Sequence, residues 1–380
     1  MPRIVIIAGE ASGDRLGASF IEAAKRLRRD IRFEGVAGPA MRAAGCEPWF
    51  DAHELAVMGL FEVLGHLPRL LSIKRRIEKR LLAAPPDVLL GIDSPDFNLR
   101  VEKVARRAGI ATVHYVCPSV WAWRESRVRT IRKSCDRVLC LLPFEPEFLR
   151  RHAIDGRFVG HPLADALVDA VDPAPLRRQL AVTAELVVAV LPGSRASEVT
   201  RLGPVFARTA AWLAARRPGL AFIVPAATTG LRVLIEADWA KFAPGCDVRI
   251  IDGQAQAALG ACDVALLASG TVTLEAMLLR RPMVVAYKLA PLSYGVARAF
   301  RLLKVKYMSL PNLLADAPLV PEMVQGEASP EKLGAAVLEL LDSPELRADL
   351  VKSFGALHDQ MRGSAGERSA AEVLDIAGLA

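Results

Sequence analysis

Short runs of Val, Ile, Leu and Ala alternate with amphipathic stretches from one end of the chain to the other. In the first half the runs predict strands at Ile4–Ala8, Phe33–Val36, Val88–Leu90, Ala111–Tyr115, Val138–Leu142 and Arg157–Val159. In the second half they predict strands at Val187–Leu191, Ala221–Val224, Val248–Ile251, Val264–Leu267 and Met283–Ala286. Between them lie stretches of helical period such as Leu16–Leu27, Ser197–Arg216 and Thr271–Leu279. Strands that alternate with helices predict parallel sheets with right-handed crossovers, so the fold class is α/β with doubly wound domains. The periodicity fades over Asp165–Pro175 and then restarts, which marks a linker. The organisation expected is therefore a first Rossmann-like domain over 1–168, a second over 169–345, and helices over 346–380 that return to the first domain or to a partner subunit.

At 380 residues, 52% of them apolar, the chain has ample material for two cores. No apolar run approaches the ~20 residues that span a bilayer, and the N-terminus lacks a signal-peptide pattern, so a cytoplasmic protein is expected. Lys plus Arg number 49 against 42 Asp plus Glu, a net charge of +7. With aromatics at 6% and no recognition module, nucleic acid is not an expected partner. The six cysteines, at 46, 117, 135, 140, 246 and 262, form no Cys-x-x-Cys pair, so reduced and mostly buried thiols are expected rather than zinc or redox motifs.

In doubly wound sheets, ligands sit beyond the carboxyl ends of the strands, so the residues that follow each strand are the candidates. The first strand runs into Gly9-Glu10-Ala11-Ser12-Gly13-Asp14, where glycine permits close approach and the following helix start suits an anion. The same loop also reads as a structural turn with Ser12 or Asp14 as helix cap. Gly91-Ile92-Asp93-Ser94-Pro95-Asp96-Phe97-Asn98 places two carboxylates at a strand end. Either carboxylate could serve as general base, with Asp93 the leading candidate, and Asp96 could equally cap a helix starting near Asn98. His114 is a possible base that reads more readily as a core histidine. Trp121 and Trp123 are either a sugar-stacking wall or core packing.

In the second half, Leu191-Pro192-Gly193-Ser194-Arg195 opens a helix, and Gly193, Ser194 and Arg195 supply close approach, a hydroxyl and a phosphate-chelating guanidinium. Ser269-Gly270-Thr271 opens another, whose amides suit a diphosphate, and Glu275 follows one turn later, placed for ribose hydroxyls. The chain contains no Asp-x-Asp triplet, the carboxylate pair that commonly carries a divalent metal on a nucleotide diphosphate, so metal-free glycosyl transfer with no cofactor is expected.

These motifs, in this order, resemble the lipid-A-disaccharide synthase family, inverting glycosyltransferases (family 19) of the two-domain GT-B fold. The resemblance also takes in Val36-Ala37-Gly38-Pro39, Glu54-Leu55-Ala56-Val57-Met58-Gly59, Pro118-Ser119-Val120-Trp121-Ala122-Trp123-Arg124 and Ser309-Leu310-Pro311-Asn312-Leu313-Leu314. Cys117 departs from the family pattern, which carries Ser there. The resemblance implies UDP-2,3-diacylglucosamine as donor and 2,3-diacylglucosamine 1-phosphate as acceptor. The products would be a β-1,6-linked disaccharide 1-phosphate and UDP, in the lipid A pathway of a Gram-negative bacterium.

It further implies Asp93 as the base and Arg195 with Ser269–Thr271 on the departing UDP. Glu275 would hold ribose and the backbone near Ile251–Gly253 would read uracil. Asn312 and the Glu10–Gly13 loop would line the cleft. The acyl chains then point to the stretch from Leu55 to Leu82. Val57, Met58, Leu60, Phe61, Leu67, Leu70 and Leu71 are apolar there, with Arg69, Lys74, Arg75 and Arg76 interleaved. Such a stretch suits docking on the anionic inner face of the cytoplasmic membrane, and Tyr294–Lys306 is a second one. Ordinary amphipathic helices with solvated basic faces are the plainer alternative. The rival functions are a GT-B enzyme acting on another UDP-sugar, a UDP-sugar epimerase, or a non-catalytic lipid-binding protein. A homodimer is left open.

Overall fold

The computed structural model describes residues 1–55, 60–122, 125–167, 171–289 and 306–379, with 60–67 described by backbone alone. The chain divides into two compact units, one formed by Met1–Asp165 with Met361–Ala380, the other by Ala166–Gln360.

The first unit holds a seven-stranded, wholly parallel sheet. Its strands are β1 (Arg3–Ala8), β2 (Arg32–Ala37), β3 (Cys46–Asp51), β4 (Val88–Ile92), β5 (Ala111–Tyr115), β6 (Arg137–Cys140) and β7 (Asp155–Phe158), in the spatial order β3-β2-β1-β4-β5-β6-β7. Ile4, Val5, Ile6 and Ile7 are all fully buried, as the uninterrupted apolar run of a strand covered on both faces requires. One face packs on the helix Ala11–Leu27 and on the C-terminal helix Ala365–Ile376, with Phe20, Ile21, Ala370, Val373 and Leu374 in one cluster. On the other face Ile73, Ile77 and Leu81, from the helix Leu60–Ala83, join Val5, Ile7 and Leu89.

The second unit holds a six-stranded parallel sheet. It is built from β8 (Val187–Leu191), β9 (Ala221–Ala226), β10 (Asp247–Asp252), β11 (Val264–Ala268), β12 (Met283–Tyr287) and β13 (Glu322–Val324), in the order β10-β9-β8-β11-β12-β13. In both sheets the winding reverses between the first strand of the unit and the fourth. That reversal opens a crevice at the strand ends between β1 and β4, and another between β8 and β11.

Two strands escape the sequence pattern, and both are edges. β3 carries Pro48 and buries few of its side chains, and β13 is three residues long. The segment boundaries also differ from expectation. The returning segment is not 346–380 but 361–380, because the helix Pro344–Met361 belongs mainly to the second unit, where a Cβ on Gly355 would lie 3.9 Å from the Arg280 guanidinium. The return is fastened by Asp165, whose carboxylate accepts the N–H groups of Gly363 (2.9 Å), Ser364 (3.1 Å) and Ala365 (2.6 Å). Arg137 adds bonds to Glu372 and Asp375, each at 2.8 Å.

Candidate functional site

The Gly9–Asp14 loop follows β1 and the Asp93–Asn98 loop follows β4, so they flank the reversal point of the first sheet. They touch: a Cβ on Gly9 would lie 2.7 Å from Ser94 Oγ, which is why glycine stands there. Asp93 and Ser94 are both left-handed, with φ of 51° and 44°. Non-glycine residues pay for that conformation, and here the payment is covered by hydrogen bonds. The Asp93 N–H donates to Tyr115 O at 2.9 Å, while Asn98 Nδ2 donates to Asp93 O at 2.8 Å, Ile92 O at 3.1 Å and Ile7 O at 3.3 Å. One buried amide thus ties the ends of β1 and β4 together and sets the Asp93 backbone. Asp93 itself remains half-buried.

Asn98 was visible in the sequence only as a motif residue, and its reach back across two strand ends has no local signal. Asp96, by contrast, is exposed and bonds to Arg127, and the helix starts at Pro95 rather than near Asn98.

Ser12 and Glu10 are exposed at the start of the helix Ala11–Leu27, and Gly13 is buried against Ile92. Asp14 caps a helix other than its own. Its buried carboxylate accepts the N–H groups of Gly38 (2.8 Å), Ala40 (2.8 Å) and Met41 (3.1 Å), holding the Val36–Pro39 turn and the helix Pro39–Ala43.

His114 is a core histidine: it is fully buried, and its Nδ1 lies 2.7 Å from Glu102 Oε1. Burial pushes the Glu102 carboxyl up, against the pull of His114. A Cβ on Gly91 would come within 2.0 Å of Glu102 Oε1, so the glycine before Asp93 makes room for this pair. Trp121 is partly buried, donates to Glu145 Oε1 at 3.0 Å and meets Phe144 edge-on at 5.0 Å. Trp123 and Arg124 lie outside the described residues.

In the second unit, the loops after β8 and β11 flank the other reversal point. Arg195 precedes the helix Ala196–Ala214 with its side chain 73% exposed, its Nη1 3.4 Å from Glu198 Oε1. The other Glu198 oxygen accepts the N–H groups of Ser194 (3.0 Å) and Arg195 (3.3 Å). Those two amides are therefore engaged within the loop, while the guanidinium projects outward. Glu198 also explains Gly193, whose φ is 129° and whose Cβ would lie 2.5 Å from Glu198 Cβ. The Arg195-x-x-Glu198 spacing is the signal that could have revealed this turn.

After β11, Ser269 Oγ donates to Met308 O at 2.7 Å and Thr273 Oγ1 to Gly270 O at 2.7 Å. The N–H groups of Gly270, Thr271 and Val272 have no hydrogen-bond acceptor among the described residues, and a Cβ on Gly270 would meet open space. Unengaged amides at a helix start are the kind of group that suits an anion. Glu275 sits half-buried one turn into the helix Val272–Leu278.

Asn312, expected as a site residue, is engaged within its own unit. It is 1% exposed, its Nδ2 donates to Val320 O (2.9 Å) and Glu322 Oε1 (2.8 Å), and its Oδ1 accepts the Val320 N–H (2.7 Å). With the whole carboxamide engaged, it fastens the helix Leu310–Ala315 to the entry of β13.

Of the apolar–basic stretch, Val57 and Met58 lie outside the described residues. Leu60, Phe61 and Leu67 fall on the helix Leu60–Ala83 where the backbone alone is described. Leu70 is half-buried and Leu71 is 37% exposed. Ile73 and Ile77 are core residues, not a free apolar face. Arg69 pairs with Glu54 at 2.9 Å, Lys74 with Glu78 at 2.5 Å, and Arg76 lies over the Phe50 ring at 4.9 Å, while Arg75 is exposed. The second stretch, Tyr294–Lys306, lies outside the described residues except for Lys306. Among the described residues no helix is long and apolar enough to cross a membrane.

Comparison with solved structures yields the fold. A UDP-GlcNAc 2-epimerase from Neisseria meningitidis bound to UDP-GlcNAc superposes with a TM-score of 0.65 at 12% identity, covering all of both chains. The calicheamicin glycosyltransferase CalG4 superposes at 0.59 with 17% identity, over 100% of this chain and 98% of that one. Among sequence relatives, the lipid-A-disaccharide synthase of Xanthomonas campestris is 50% identical over 378 residues, covering 99% of this chain and 86% of the relative. The synthase of Azotobacter vinelandii is 50% identical over 377 residues, covering 99% and 98%. The family model described as lipid-A-disaccharide synthetase matches residues 4–373. With a GT-B pair of parallel sheets, motif loops at both reversal points and a match over nearly its whole length, the chain belongs to the lipid-A-disaccharide synthase family of glycosyltransferases.

Proposed function

We propose that this enzyme transfers 2,3-diacylglucosamine from its UDP derivative to the 6-hydroxyl of 2,3-diacylglucosamine 1-phosphate, with inversion and without a metal. The observation that carries the reading is placement. The loop bearing Asp93 stands at one sheet's reversal point, and the loops bearing Arg195 and the open Gly270–Val272 amides flank the other's.

Asp93 takes the hydroxyl proton as that oxygen bonds to the anomeric carbon and the bond to UDP breaks. Arg195 and the open amides take up the negative charge growing on UDP. Glu275 holds the ribose, and Glu10, Ser12 and Gly13 position sugar or phosphate. The lipid substrates imply work in the cytoplasm at the inner membrane surface, with the exposed part of the basic helix Leu60–Ala83 as the docking face.

The test is UDP release from donor plus acceptor in detergent micelles, comparing wild type with Asp93→Asn. Wild type releases UDP only with acceptor present, keeps doing so in EDTA, and the variant loses ~100-fold or more in turnover while still binding UDP. A fully active variant removes Asp93 from the mechanism. Mg²⁺ rescue of an EDTA-inactivated enzyme removes the metal-free step. A wild type that binds UDP but releases none from these substrates points to another sugar.

A further inference from the structure

Three side chains unused by this chemistry converge in the first unit, beside the segment after β5. Cys117 lies two residues past β5, Cys140 ends β6, and Glu145 opens the helix Glu145–Arg150. Their ligand atoms all lie within 4.8 Å of one another, and the residues are 5%, 0% and 3% exposed. The Cys117 thiol donates to Pro118 O at 3.5 Å and the Cys140 thiol to Val138 O at 3.7 Å.

The carboxylate accepts the Leu142 N–H on Oε2 at 3.0 Å and the Trp121 indole N–H on Oε1 at 3.0 Å. Among the described residues no Lys, Arg or His pairs with it, and burial pushes it up to about 7. A buried carboxylate with no cation beside it among the described residues, next to two buried sulfurs, has the makings of a metal site. Two thiolates and a carboxylate are the donor set of a borderline-soft ion. Around such an ion, at Zn–S distances of ~2.3 Å, tetrahedral ligands sit roughly 3.8 Å apart, inside the observed spread.

We propose that Cys117, Cys140 and Glu145 form a binding site for a thiophilic divalent cation of the zinc type, with water as fourth ligand. On loading, two S–H bonds break, and the Glu145 O–H where it is present; two metal–sulfur bonds and one metal–oxygen bond form, two to three protons pass to solvent, and nothing is oxidised or reduced. The Trp121 and Leu142 N–H groups keep the carboxylate aimed, as outer donors do in metal sites. The ion braces the Cys117–Trp121 segment against the end of β6.

The probe is Cd²⁺ added to the chelator-treated full chain, read by the ultraviolet thiolate-to-cadmium charge-transfer band. The band saturates at one ion per chain, is displaced by Zn²⁺, and is accompanied by release of two to three protons, so apparent affinity rises with pH. Cys117→Ser abolishes the band, while Cys46→Ser and Cys135→Ser keep it. Cys140 is fully buried, so Cys117→Ser is the deciding variant, and its metal-free thermal midpoint is compared with wild type to establish that it folds. No band in wild type at stoichiometric Cd²⁺ overturns the proposal, and so does a band that survives in Cys117→Ser.

Discussion

Replacing Asp14 by Ala should weaken the first unit without touching the Asp93 loop. The carboxylate accepts three backbone N–H groups, at 2.8, 2.8 and 3.1 Å, those of Gly38 and Met41 in fully buried bonds. A hydrogen bond to a charged group contributes ~1.5–3 kcal/mol, and an orphaned buried donor costs ~1–3 kcal/mol. The three bonds share one carboxylate and are not additive, and water can enter the space the side chain leaves. A net loss of ~3 kcal/mol follows, above the ~1 kcal/mol of an ordinary helix cap. Asp14→Asn keeps the shape and one acceptor oxygen and should lose about half as much. Urea unfolding followed by circular dichroism reads the loss. Hydrogen exchange at the amides of 38, 40 and 41 locates it, because those three should lose protection before the β1 amides do. Salt should not change the result, since the bonds are shielded from solvent. A loss in Asp14→Ala below ~1 kcal/mol, with exchange at Gly38 and Met41 unchanged, would refute the assignment of Asp14 as the strut of this turn.

Gly91→Ala puts a methyl group 2.0 Å from Glu102 Oε1 in a sealed interior and should cost ~3 kcal/mol; an unchanged thermal midpoint would show that Glu102 moves aside freely. Burial lowers His161 from 6.5 to about 4, and its Nδ1 accepts the Leu163 N–H at 3.2 Å, which requires the neutral ring. Between those values the unfolded chain holds the proton and the folded one does not, so stability falls as pH drops from 6.5 toward 4. The residue is partly exposed, which reduces the contribution to ~2 kcal/mol. Asn at 161 can still accept the Leu163 N–H and should flatten that slope, and equal slopes in urea titrations at several pH values would exclude His161 as its source. Arg195→Ala should leave the thermal midpoint in place, since a pair with the side chain 73% exposed adds little stability. UDP affinity should fall ~10- to 100-fold, the worth of a charge-assisted contact, and an unchanged dissociation constant by calorimetry would remove Arg195 from the diphosphate site.

The sequence by itself determined the fold class, because a strand covered on both faces must be apolar throughout, and β1, β4, β8 and β11 read that way without help. It also determined where the candidate chemistry stands, since glycine, proline and a polar cluster directly after such a run can only be a strand-end loop. Edge strands were not legible: β3 and β13 bury too little to leave a pattern. Nor were the bonds that hold the loops. Asp14 reaches 24 residues to Gly38, Asn98 reaches 91 to Ile7, and Asp165 reaches 200 to Ala365.

The same limit applies to Asn312, which reads as a site residue beside its motif neighbours yet has its carboxamide engaged by Val320 and Glu322. Cys117, Cys140 and Glu145 have no metal-ligand spacing, and it took the pairing of β5 with β6 to bring them within 4.8 Å. Local periodicity records what each segment buries. Which distant polar groups must then satisfy one another is decided only when the sheet order brings their strand ends together.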